Sequence, residues 1–165
     1  MAPSVPVKDL LPTEMRDGAL TVRDLEIHGT EQELLAYLVG EDADAAEIAV
    51  AKGIAESAGG GLDDMTIIDG WFALDDGTTQ VNLGAFQIGG SETDDLRQSI
   101  HTMAMTWMDD PGFTEQEIAG RGVTVYDTAE EHGDYVNYLY VHDDIAWMFA
   151  TFEEHASDVL EALPG

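Results

Sequence analysis

Two strand-length apolar runs, Met65 to Leu74 and Thr79 to Ile88, flank Asp75-Asp76-Gly77. An Asp-Gly reversal between such runs predicts a β-hairpin, because glycine takes the left-handed backbone conformation that a tight turn needs. A second antiparallel run is expected from Gly112 to Phe149. In it Phe113 to Ile118 turns at Gly120-Arg121-Gly122 into Val123 to Tyr126, and Tyr135 to Val141 turns at His142-Asp143-Asp144 into Ile145 to Phe149. Val136, Tyr138 and Tyr140 recur at every second position, as do Ile145, Trp147 and Phe149, so each strand is expected to have one face on a core and one wetter. Long hairpins separated by a few helices argue for helices on a sheet face and against a parallel, doubly wound fold.

Helices are expected from about Glu31 to Leu38 and from about Asp44 to Ala58, the latter stopped by Gly59-Gly60-Gly61. A third starts after Ser91 and carries Leu96, Ile100, Met103 and Trp107 as one buried stripe, ending at Asp109-Asp110-Pro111-Gly112. The last runs from about Glu153 to Leu163. Leu25 to Leu35 aligns with Phe86 to Leu96 at an offset of 61 residues, each reading as strand end, glycine, hydroxyl N-cap (Thr30, Ser91) and acids in the first turn. Thr151-Phe152-Glu153-Glu154 is a third candidate capping box. This recurrence has two readings, an internal duplication and capping chemistry used three times. The expected fold is therefore α+β, an antiparallel sheet of long hairpins with about four helices packed mainly on one face. Residues 1–10 read as a linker-like segment, consistent with the junction left by a removed export signal or anchor, and 11–165 as a single acidic α+β domain.

The 165 residues include no cysteine and only 6 Lys and Arg against 34 Asp and Glu, a formal net charge of −28. Nucleic acid is excluded as an ordinary partner, because a phosphate backbone must be met by clustered cations, and anionic membranes are disfavoured on the same ground. No apolar run has the length of a membrane span. The acidity fits a surface built for salt-rich solvent and hydrated cations, or for solubility alone; specific divalent-cation binding is the sharper alternative. Adjacent acids such as Asp63-Asp64 and Asp94-Asp95 do not make a cage, since neighbours on a strand face opposite ways. Glu41-Asp42-Ala43-Asp44 lacks the glycine and closing glutamate of an EF-hand loop.

Five histidines are present, at 28, 101, 132, 142 and 155, and none pairs with another at zinc-binding spacing. His142, Asp143 and Asp144 form the candidate cation site or acid/base pair, weighed against ordinary turn chemistry. His101 is expected as a core-boundary contact. No nucleophile elbow or Ser-x-x-Lys occurs, and Glu92, Asp94 and Asp95 would repel a phosphate from the helix start after Gly89-Gly90, so no catalytic residue is assigned. Met103, Met105, Trp107 and Trp147 are candidates for an adaptable apolar ligand pocket between the third helix and the sheet, with Met105, off the stripe, a candidate dimer contact.

Leu11-Pro12, Gly120-Arg121-Gly122-Val123, Tyr140-Val141-His142-Asp143 and Leu160-Glu161-Ala162-Leu163-Pro164 resemble a pattern found in uncharacterised exported or lipid-anchored proteins of bacterial envelopes. The resemblance implies an extracytoplasmic or secreted address and brings no activity with it; the cytoplasm of a halophile is the alternative. The leading expectation is a non-catalytic, soluble domain that binds a ligand or protein partner. Two others stand beside it: a metal-dependent or acid/base enzyme centred on His142 and Asp143, and a structural subunit that forms a homo-oligomer. A divalent cation is the one cofactor considered.

Overall fold

The two apolar runs around Asp75-Asp76-Gly77 pair as expected. In the computed structural model, which describes residues 5–128 and 134–165, they are β3 (Met65–Ala73) and β4 (Thr79–Ile88), and the Asp76 carboxylate accepts from the Thr78 N–H inside the turn. The other strands are β1 (Glu14–Met15), β2 (Leu20–His28), β5 (Phe113–Ile118), β6 (Arg121–Tyr126), β7 (Tyr135–His142) and β8 (Ile145–Phe152). The helices are α1 (Glu31–Val39), α2 (Ala45–Ser57), α3 (Thr93–Trp107) and α4 (Ala156–Ala162). His132 lies outside the described residues.

All eight strands join one antiparallel sheet in the order β1-β2-β3-β4-β8-β7-β6-β5. Two four-stranded meanders thus meet along a β4–β8 seam, from Val81 opposite Thr151 to Gln87 opposite Ile145. Strand alternation divides the core in two. On one face Ile67, Phe86, Ile88, Leu139, Val141 and Ala146 pack under α1, α2 and α3; on the other Phe72, Leu83, Tyr138, Trp147 and Phe149 pack with α4 and Val7. Three of the four helices therefore share a face. The strand order repeats two-fold about the seam, whereas the helices that follow β4 and β8 lie on opposite faces.

The face that holds α4 is concave. Eight strands laid flat would separate the two edges by about 34 Å, whereas a seven-residue helix is about 10 Å long, yet α4 touches both β1 and β5. The sheet must curl around it, as its right-handed twist favours. The backbone N–H of Val7, in a 3₁₀ turn (Val7–Asp9), donates to the side chain of buried Gln87, whose amide donates in turn to the Val5 carbonyl. Val7, with Leu10 and Leu11 beside it, thus packs into the same concave core. No helix among the described residues is long and apolar enough to cross a membrane.

Two of the three expected hydroxyl caps are not formed. Thr30 caps α1, accepting from the Glu33 N–H at 3.2 Å. Ser91 does not cap α3: Gly90, at φ +78°, carries the chain through a turn closed by Ser91 N–H to Ile88 C=O, and the helix starts later, behind Glu92. Thr151 stays in β8 because the seam extends that far, and its hydroxyl donates to the Gln80 carbonyl; α4 follows only after a 3₁₀ turn (Glu153–His155). The cap of α2 is Asp44, which accepts from the Glu47 N–H.

The remaining departure is β2, recognised in the sequence only at its end, Leu25 to His28. It runs nine residues and contains a bulge: Arg23 faces Trp71 on β3, and the next pair is Glu26 with Asp69. Asp24 takes the left-handed conformation there, at φ +47°, and one extra residue breaks the alternation on which strand recognition depends.

Candidate functional site

The long stripe of α3 is only partly covered by the sheet. Between α1, α2 and α3 runs a groove of about 530 Å³ whose walls include Leu38, Val50, Ile54, Met103 and Trp107. The Ser99 hydroxyl donates to the Ile54 carbonyl at 2.6 Å and fixes α3 against α2 along its base. Val50 and Trp107 remain 65% and 47% exposed, unusual for large apolar side chains whose neighbours are core. Gly53 sits inside α2 at the groove wall, and a Cβ there would meet nothing within 4 Å. A glycine inside a helix sacrifices stability, and no packing constraint requires it here; its effect is to leave the groove wider.

Of the four residues expected in an apolar pocket, Met103 and Trp107 meet in this groove. Met105 is half-buried against the core on another side of α3. Trp147 is fully buried on the concave face, opposite α1, α2 and α3, because β8 alternation places it with Ile145 and Phe149. Met103 and Trp107 thus meet in a groove among helices, and Trp107 also lines a smaller cleft between α3 and the sheet.

His142, Asp143 and Asp144 do not converge as a cation site. The Asp144 carboxylate turns inward to accept from the Gln87 side-chain amide (3.2 Å) and the Gly90 N–H (3.4 Å), and its carbonyl accepts from Ile88 N–H. Asp143 points to solvent, 3.5 Å from the His142 ring, while its carbonyl accepts from the Thr93 hydroxyl. The turn is a clasp that fixes the β7–β8 hairpin to the start of α3. His101 shares a 2.7 Å hydrogen bond with the Tyr126 hydroxyl and packs edge-on to Phe113, as a boundary contact.

A second site went unrecognised in the sequence. Glu26 and His28 stand two apart on β2 and so share a face, and Asp69 lies opposite Glu26 on β3. The bulge is what turns them toward the helix face, where Arg23 and Trp71 also point. One ligand atom from each lies within 4.8 Å of the other two, the one such group of three among the described residues, and Glu26 Oε2 is 3.9 Å from His28 Nε2. Tyr37 of α1 packs on the His28 ring with centroids 4.9 Å apart. His28 Nε2 is buried from solvent and has no hydrogen-bond partner among the described residues.

Electrostatics sharpen this site. Burial, then the neighbouring Glu26 carboxylate, raise the Asp69 pKa above the ordinary carboxylate value, and His28 opposes them. Burial, then Asp69, push the Tyr37 phenol up to about 12. Asp69 also borders a cleft of about 230 Å³ walled by Tyr37, Phe86 and Trp107, whose rings lie 6.2 to 6.3 Å apart. The sequence did hold two signals: Glu-x-His, a strand pattern that places two ligands side by side, and a carboxylate inside the apolar run Met65 to Leu74. Comparison of the chain with protein-family models, curated proteins and solved structures finds no match.

Proposed function

We propose that this chain is a non-catalytic binding domain that takes a small apolar molecule in the groove between α1, α2 and α3. The groove itself carries the reading, since its volume and predominantly apolar lining match those of small-molecule sites. Gly53 adds support, because a helix gives up stability at that position without any packing need. Asp95 at the rim and a net charge of −28 select neutral or cationic ligands over anions of the same shape. An address outside the cytoplasm belongs to the proposal and is supported by the resemblance of the Leu11-Pro12, Gly120–Val123, Tyr140–Asp143 and Leu160–Pro164 segments to exported envelope proteins.

Titration with a neutral solvatochromic dye, followed by displacement with a long-chain alcohol, amine and carboxylate, tests it. Saturable dye binding is expected, with the alcohol and amine displacing better than the carboxylate. Gly53→Leu, which fills the groove, should abolish binding, while Gly53→Ala should raise stability by about 0.5–1 kcal/mol through helix propensity. Dye affinity that survives both Gly53→Leu and Trp107→Ala would place the apolar site elsewhere and defeat the proposal.

A further inference from the structure

We infer that Glu26, His28 and Asp69 form a binding site for one first-row divalent transition ion. Three observations support this independently of the helix groove. First, the donors come from two paired strands, so the backbone ladder fixes their spacing: Glu26 faces Asp69, and His28 follows on the same side. The bulge at Asp24 and Leu25 creates this arrangement, and the Leu25 side chain lies over Gly70. Bulges recur where a strand must re-aim side chains toward a site.

Second, His28 presents an imidazole nitrogen that is buried and unpartnered among the described residues, its ring held against Tyr37. A buried polar atom without a partner costs stability, so a ligand that occupies it recovers that cost. Third, Asp69 and Glu26 place two carboxylates side by side, one of them half-buried in a mostly apolar strand. Like charges at such a distance repel, and a dication between them reverses the sign of the interaction.

The donor set decides the ion class. One imidazole and two carboxylates suit zinc, manganese, iron or cobalt, whereas calcium takes six to eight oxygens and magnesium strongly prefers oxygen and retained water. A tetrahedral ion with bonds of about 2.1 Å would hold its ligand atoms about 3.4 Å apart. Glu26 Oε2 and His28 Nε2 are already 3.9 Å apart, and the Glu26 side chain, 71% exposed, is free to close the difference. Three protein ligands leave one position for water or a further donor.

Zn²⁺ is the probe, titrated calorimetrically into the full chain in molar KCl so that diffuse attraction to the acidic surface is screened. One saturable equivalent is expected. Glu26→Gln, at an exposed position, and Asp69→Asn should each weaken binding at least tenfold, while His142→Ala leaves it unchanged. Co²⁺ substitution supplies a second readout, with a visible absorption band that shifts or disappears in His28→Gln. Asp69→Asn should also raise the melting temperature of the metal-free protein while removing the rise that Zn²⁺ produces, a pair of effects that a purely structural aspartate would not give. No saturable binding in molar KCl, or Zn²⁺ affinity and Co²⁺ spectrum unchanged in the Glu26 and Asp69 variants, overturns the assignment.

Discussion

Tyr37, Tyr126 and Tyr138 are three of the five tyrosines, and burial raises the pKa of each, with Asp69, Glu115 and Glu153 adding respectively to the effect. Tyr37 and Tyr138 are pushed up to about 12 and Tyr126 also lies above its ordinary value. Between pH 10 and 12 the folded protein retains protons on these phenols that the unfolded chain loses. Stability from them is complete below pH 10 and declines as pH rises toward 12. A phenolate absorbance titration should therefore show these three ionising together with the loss of structure. Tyr138→Phe, which cannot ionise, should move the alkaline unfolding midpoint upward. At this scale the sequence revealed some residues and concealed others for physical reasons. Met103 and Trp107 were legible because helical spacing survives in an unbroken helix. Glu26 and His28 were not, because the bulge before them decides which face they take, and their meeting with Asp69 depends on pairing with a strand far away in sequence.

Element α4 has seven residues, too few to persist alone, and its C-terminal end depends on Arg121. The guanidinium donates to the carbonyls of Leu160 and Leu163, the latter at 2.8 Å, and lies 5.4 Å from the centre of the Tyr140 ring. The Tyr140 hydroxyl donates to the Pro164 carbonyl at 2.9 Å. Positive charge at a helix C-terminus also offsets the helix dipole. Segments 120–123, 140–143 and 160–164, far apart in the chain, thus converge on one side chain. Arg121→Ala should cost about 2 kcal/mol by removing charge-assisted hydrogen bonds and leaving carbonyls unpaired. Arg121→Lys should recover only part, since a point charge cannot reach several acceptors at once. Chemical denaturation of both variants measures the difference. The hairpins and helix stripes were readable because turn residues and periodicity are local signals. The start of α4 was not, because whether Thr151 caps a helix or extends a strand is decided by its pairing with Val81, far away in sequence.

Across the whole molecule, 34 acids against 6 bases leave self-repulsion as the main electrostatic effect. The Lys and Arg ion pairs at the surface are few: Arg16–Asp158, Lys52–Glu31 and Arg97–Asp94 among the described residues. Such exposed pairs contribute little, so screening should outweigh their loss. Melting temperature should rise steadily from low to molar KCl; a flat or falling curve would show that the acids are already neutralised by something more specific than solvent. The α+β class was visible in the pattern of hairpins and helices, whereas the curl of the sheet was not, because it arises from accumulated twist and from a short helix that meets both edges. The β4–β8 seam has a kinetic consequence. The β3–β4, β5–β6 and β7–β8 hairpins close through near neighbours, but the seam joins groups such as Gln80 and Thr151, 71 positions apart, so productive folding waits on a slow long-range encounter. Until then Val81 to Phe86 and Ile145 to Phe149 are two unpaired, apolar strand edges, each capable of pairing with another chain. The same negative charge that strains the finished fold keeps such half-folded molecules apart.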